Sequence, residues 1–252
     1  MITRDKLAIY LRDYLACDNF NDYAPNGLQI EGKETIGLIC TAVTASEEII
    51  HKALALQADA LLVHHGYFWQ GEAQIITGMK KRRIGQLLKG EINLFAYHLP
   101  LDCHPDVGNN ACIAELLGIE AVEKHCAGKV PNLLWSGRFP QPISAYELSR
   151  NITEKLKREP LAITVSDKPI ERLAWCTGAA QNLIEDAYHL GVDAYLSGEI
   201  SERTYYQAQE LGIHYFACGH HSSERYGIQA LGQHLSTKFG LRHQFIDSAN
   251  PV

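Results

Sequence analysis

No long apolar run crosses the 252-residue chain; none approaches the roughly 20 residues that a membrane-spanning helix needs. A signal-peptide core is missing too, because Met1-Ile-Thr-Arg-Asp-Lys opens like an amphipathic helix with no apolar stretch behind it. The seven cysteines include no CxxC pair, which excludes structural zinc at the usual paired spacing. Their odd count, with no secretion signal, points to a reducing compartment, the cytoplasm. Positive charge is not in excess: 23 Lys and Arg stand against 29 Asp and Glu, a formal net charge of -6. That balance, with no nucleic-acid motif, argues against DNA as a partner. No GxGxxG or GxxxxGK[ST] phosphate loop, no GxSxG elbow and no low-complexity segment is present.

What is present is an ordinary globular composition, 46% hydrophobic and 21% charged. The length suits one large domain or two small ones. Helix and strand patterns alternate. Thr35–Val43 reads as an apolar strand. Ser46–Gln57 reads as a helix capped by Ser46 with Glu47 and Glu48 in its first turn, and Ala58–Val63 and Glu91–Tyr97 as further strands. Lys80-Lys81-Arg82-Arg83 falls on helical spacing within Ile75–Leu88 and reads as a solvated helix face. The alternation predicts an α/β fold.

The second half repeats the first. A shift of 134 positions superposes Ala53, Leu56, Asp59, Ala60 and Leu62 on Ala187, Leu190, Asp193, Ala194 and Leu196. A shift of 121 places Ile92, Phe95 and Ala96 on Ile213, Phe216 and Ala217. The expectation is two similar α/β domains, each a duplicated strand-helix-strand-helix-strand unit. Their bounds are 1–126 and 127–252, with the C-terminal segment free to pack back on the first. The connector carries Pro131, Pro140, Pro142 and Pro160.

Chemistry-bearing residues gather where strands end. His64-His65-Gly66 follows Ala60–Val63, His98-Leu-Pro-Leu-Asp102-Cys-His104-Pro-Asp106 follows Ile92–Tyr97, and Gly219-His220-His221-Ser-Ser-Glu224 follows Ile213–Cys218. Ligands of α/β sheets bind at the carboxyl ends of strands. If a helix starts near Ser222, His220 lies at its mouth and Glu224 reaches the same point. A single histidine in such a place is more often a surface or core residue. Three clusters at three equivalent strand exits point to a first-row divalent ion. There are enough imidazoles and carboxylates for two ions about 3.5–4 Å apart. Glu199, in the second-half counterpart of Val63-His64-His65, is a candidate supporting or substrate-facing carboxylate. Cys103 and Cys218 lie beside the clusters but lack an adjacent base, so they read as bystanders rather than nucleophiles; Cys40 and Cys176 read as packed thiols.

Four motifs then occur in order: Asp22-Tyr-Ala-Pro-Asn-Gly-Leu-Gln-Ile-Glu-Gly32, Val63-His-His-Gly-Tyr-Phe-Trp69, His98-Leu-Pro-Leu-Asp102 and Cys218-Gly-His-His-Ser-Ser-Glu224. Together they resemble, over essentially the whole chain, the dinuclear-metal family of NGG-one-interacting factor three. This family is also labelled the type 2 GTP cyclohydrolase I homologues, and the match is nearest its YbgI-type members. The resemblance implies a metal pair between the two domains, held by His64, His65, Asp102, His220 and Glu224. Glu224 would bridge, with His64 and His220 on one ion and His65 and Asp102 on the other. It further implies that His98 and His221 line the pocket, with His98 the better acid/base candidate, and that six chains form a homohexameric ring, or toroid. The two divalent ions could be Fe, Zn, Mn, Ni or Co.

The function expected on this basis is hydrolysis through a metal-bridging hydroxide, the substrate a small molecule of the GTP-like or damaged-nucleotide class. The alternative is a non-enzymatic metal-binding assembly or a protein-interaction and regulatory role.

Overall fold

The computed structural model describes every residue from Met1 to Val252. The helices are α1 (Arg4–Tyr14), α2 (Glu47–Ala55), α3 (Gly78–Lys89), α4 (Leu99–Asp102), α5 (Asn109–Leu117), α6 (Ala145–Leu156), α7 (Ile184–His189), α8 (Glu202–Leu211) and α9 (His220–Phe239). The strands of the two larger sheets are β1 (Gly27–Ile30), β2 (Leu38–Thr44), β3 (Ala60–His65), β4 (Asn93–Ala96), β5 (Glu120–Ala127), β6 (Val130–Ile143), β7 (Leu161–Ile163), β8 (Ile170–Cys176), β9 (Ala194–Ser197), β10 (His214–Ala217) and β11 (Arg242–Phe245). No helix is long and apolar enough to cross a membrane.

The chain forms two compact units, Met1–Gly108 with Gly227–Ala249, and Asn109–Tyr226 with Asn250–Val252. These bounds do not coincide with 1–126 and 127–252. Ile113 and Ala114 of α5 pack against Trp135, Leu148 and Trp175 of the second unit. Ile228, Leu231 and Leu235 of α9 pack against Leu7, Leu11 and Leu62 of the first.

The first unit carries a five-stranded sheet in the order β11-β2-β3-β4-β1, parallel except for β1. Side chains alternate across its faces, as the strand period of two requires. Cys40, Ala42, Leu61, Val63 and Leu94 meet Ile49, Ile50 and Ala53 of α2 and Ile84 and Leu87 of α3. Ile39, Val43, Ala60, Leu62 and Phe95 meet α1 and α9. A near-continuous apolar strand is the pattern expected of a parallel strand covered on both faces. Ser46 caps α2 as expected, its side chain accepting from the Ile49 amide.

The second unit carries a six-stranded sheet, β5-β6-β8-β9-β10-β7, in which β8, β9 and β10 are parallel. Leu173, Trp175, Leu196 and Phe216 face α5 and α6, while Tyr195, Tyr215 and Cys176 pack with Ile184 and Ala187 of α7 and Ala208 of α8. The core is the same plan executed twice.

The register shows why one identity recurs. Ala60 pairs with Asn93 in the first unit, and Ala194 pairs with His214 in the second. Just before each pair stands an aspartate. Asp59 accepts the amides of Gly37 and Leu38, at 2.9 and 3.0 Å. Asp193 accepts those of Glu171 and Arg172, at 3.0 and 2.9 Å. Each carboxylate ties the base of its own strand to the entry of the neighbouring one. The shared aspartate is a fold device, far along the strand from the ligand-bearing ends.

Candidate metal centre

In the first unit β3 runs out as His64-His65. His64 is fully buried, and its Nδ1 lies 2.9 Å from the Tyr97 carbonyl. A carbonyl can only accept, so Nδ1 carries a proton and Nε2 is the nitrogen turned toward Asp102. Nε2 sits 3.4 Å from Oδ1 of Asp102, which α4 buries. His65 Nδ1 lies 3.1 Å from the Thr44 hydroxyl on the adjoining β2. Gly66 leaves no room for a side chain: a Cβ on it would meet the Ala96 Cβ at 2.6 Å as well as Oε1 of Gln29 at 2.2 Å.

His98 caps α4 just past β4, and its ring lies 5.1 Å from that of His64 and 5.8 Å from that of His65. One ligand atom from each of these three histidines falls within 4.8 Å of the others. Asp22 holds His98 in place, its Oδ1 2.7 Å from Nδ1. Asp22 also accepts from the Asn26 amide group and the Leu99 backbone, while Asn26 Oδ1 accepts from the His98 backbone. Burial works to raise the Asp22 carboxyl pKa, but the bonds from His98, Asn26 and Leu99 outweigh it and hold it below the ordinary value. Nδ1 of His98 is thus engaged by Asp22, and Nε2 is its other ring nitrogen. His104 is tied elsewhere, to the Tyr14 carbonyl and the amides of Asp106 and Val107.

In the second unit α9 begins at His220 itself rather than at Ser222. One helical turn therefore spans His220 to Glu224, the spacing that brings two side chains onto one face. His220 Nε2 lies 3.2 Å from Oε2 of the buried Glu224, and Nδ1 lies 2.7 Å from Oε1 of Glu199, just past β9. Burial alone would lower the His220 pKa; the hydrogen bonds and charges of Glu224 and Glu199 win and raise it to about 9. At the end of β8, Gly178 adopts a left-handed conformation, φ +70°. A Cβ there would meet Glu224 Oε1 at 2.2 Å and His220 Nε2 at 3.3 Å, so only glycine admits this pair. His221 is buried and its amide donates to the Val252 carbonyl. Neither it nor Glu199 joins a group of three clustered ligand atoms.

The donor chemistry fits a first-row divalent metal: imidazoles, carboxylates beside them, and supporting acceptors behind the rings of His64 and His220. The thiols do not contribute. Cys103 and Cys218 are buried, and burial pushes both far above the ordinary thiol pKa, so they stay neutral. Of the basic run only Lys81 and Arg82 are solvated, Arg82 pairing with Glu47; Lys80 is mostly buried and pairs with Glu72, and Arg83 is partly buried, so the run is not a uniformly solvated helix face.

Sequence reasoning gave no role to Asp22, Asn26 or Gly178. Asp22 and Asn26 stand in the first of the four motifs, which is the one signal the sequence offered for them. Gly178 lies two residues past the end of β8, and no sequence pattern marks it.

The family model described as Duf34/NIF3 (NGG1p interacting factor 3) matches residues 2–251. The chain belongs to the Duf34/NIF3 family. Among its NIF3 relatives is a Vibrio cholerae protein named GTP cyclohydrolase 1 type 2 homolog, 50% identical over 249 residues, 98% of each chain. The solved structure of protein ybgI, titled as of unknown function, covers 100% of both chains at 44% identity with a TM-score of 0.95. TTHA1606 from Thermus thermophilus covers 100% of both at 35% identity and TM-score 0.90. The NIF3 match thus spans nearly all of this chain.

Proposed function

We propose that this NIF3 protein is a metal-dependent hydrolase of the type 2 GTP cyclohydrolase I homologue class, acting on a GTP-like or damaged nucleotide. His64, His65 and Asp102, with His220 and Glu224, are the residues that would hold two divalent ions. When bound, such a pair supplies Lewis acidity and an activated water. The observation that carries the reading is the preorganisation of each donor set within its own unit. His64 is fixed by the Tyr97 carbonyl, and His220 and Glu224 are seated over Gly178.

The chain's own residues then have separable tasks. Asp22 orients His98 so that its Nε2 can give or take a proton near the reacting bond. Glu199 orients His220 through Nδ1, so that Nε2 would be the atom presented to a bound cation. Glu224 supplies a buried carboxylate able to be shared between two cations. The name borne by the curated relatives supports a nucleotide; the family's description as an interacting factor supports the alternative, a metal-binding assembly acting through protein contacts. The homohexamer belongs to the same reading and would appear in light scattering as one species of six chains.

The test is to incubate metal-loaded protein with GTP and then other nucleotides. Formate and a pterin triphosphate precursor are the products expected from GTP. No turnover of any nucleotide across Fe, Zn, Mn, Ni and Co, in protein that holds metal, would overturn the hydrolase and favour the assembly.

A further inference from the structure

We infer that Trp69 is an aromatic platform on which a planar heterocyclic ring of purine or pterin size stacks at this site. The chain has three tryptophans, and Trp135 and Trp175 are buried in the core of the second unit. Trp69 alone is half-exposed, and it stands against the histidine cluster. Its indole meets the His98 ring edge-on, centroids 5.0 Å apart at 84°, and lies 6.0 Å from the His65 ring.

The placement is built rather than incidental. The indole Nε1 donates to the Gly66 carbonyl at 3.3 Å. The Trp69 amide donates to the Glu72 carboxylate, which Lys80 pairs at 3.3 Å while also donating to the Ala73 carbonyl. Gln29 clamps the start of the loop from both sides: its Oε1 accepts from the Tyr67 amide at 2.7 Å, and its Nε2 donates to the Tyr67 carbonyl at 3.1 Å. The Gln70 amide donates to the Tyr23 carbonyl at 2.6 Å. Lys80, the first residue of the basic run, thus pins the loop that carries the indole. A half-exposed tryptophan held this firmly beside the His98 imidazole does not serve the core. Its π face is the surface a flat ring prefers, whatever the ring's hydrogen-bonding pattern.

The inference rests on the metal-dependent reading of the same site, and the experiment separates the two. Full-length protein, metal-loaded and metal-free, is titrated with GMP, with neopterin and with ribose 5-phosphate, which lacks the ring. Tryptophan fluorescence, calorimetry and metal content are read in parallel. The expected result is quenching by GMP or neopterin and none by ribose 5-phosphate. The Trp69→Leu variant should lose the quench and bind about 10- to 100-fold more weakly, with unchanged metal content and melting. Trp69→Phe should keep most of the affinity. Equal binding by Trp69→Leu and the parent, or a quench that persists in Trp69→Leu, would overturn the platform. Protein that holds two ions per chain but is quenched by neither ring compound overturns the platform and leaves the metal reading standing. A Trp69-dependent quench in protein that takes up no metal supports the platform and overturns the metal reading.

Discussion

The two units lay out the same three parallel strands, yet they load the strand ends differently. In the first unit β3 and β4 deliver three imidazoles, two of them anchored by neutral oxygens, the Tyr97 carbonyl and the Thr44 hydroxyl. In the second, β10 leads into His220 and His221, of which His220 is held between two carboxylates, and the β8 exit delivers a glycine. The first set is backed by a carbonyl, a hydroxyl and, behind His98, the Asp22 carboxylate; the second pairs its imidazole with Glu224 and Glu199, which raise the His220 pKa to about 9. A duplicated scaffold has thus kept its strand-tying aspartates and diverged where the chemistry lies.

The largest break in this comparison should come from Glu224→Ala. Elemental analysis is expected to show metal falling from two ions per chain to fewer than one, whereas His98→Ala, at a residue proposed as an acid/base rather than a ligand, should keep both. Loss of metal in His98→Ala would instead make the three imidazoles of the first unit a ligand set. Glu199→Gln comes next. Supporting carboxylates typically contribute about 10- to 100-fold in metal affinity, and a competition titration should find a loss of that order.

Gly178→Ala sharpens the contrast from the backbone side. Its Cβ would displace the Glu224 carboxylate and must adopt a left-handed φ, which costs roughly 1–2 kcal/mol for a non-glycine residue. Lower metal affinity with a modest fall in Tm is expected; the equivalent change at Gly212, where φ is +67° but no atom stands within 4 Å, should lower Tm without touching metal.

The matched aspartates provide a smaller, pH-dependent effect. Burial works against the Asp59 carboxylate, but Lys33 and the Gly37 and Leu38 amides hold its pKa below the ordinary value. A carboxyl depressed on folding adds stability above its unfolded pKa, near about 4, and that contribution is lost as pH falls through the folded value. Asp59→Ala should therefore cost about 1.5–3 kcal/mol at neutral pH. The gap from the parent should close in melts taken below about pH 4. Asp193→Ala removes the matching pair of amide bonds without the ion pair that Lys33 gives Asp59, and should cost less. The smallest effect belongs to Cys218→Ala. Its neutral, buried thiol should be dispensable for metal, with a cost of about 1 kcal/mol from lost packing.

Much of this was legible in the sequence. Apolar runs at Leu38–Thr44 and Ala60–His65 can only be strands covered on both faces, and Ser46 announces α2. The superposition of Ala60 on Ala194 reappears as matched register. What the sequence hid is contact across many residues. Asp22 reaches His98 over a separation of 76 positions, and Glu199 reaches His220 over 21, with no local pattern to announce either partner's geometry. The unit bounds were hidden for a similar reason. Helix α9 is one uninterrupted pattern, and nothing in its periodicity marks Gly227 as the point where its packing partners change.

The most direct test of the account is the metal content per chain of protein purified without exposure to chelator. Close to two divalent ions per chain, removed by Glu224→Ala, is the result expected. Close to none, with no uptake when Zn, Mn, Fe, Ni or Co is supplied, would contradict the ligand assignment and the hydrolase built on it.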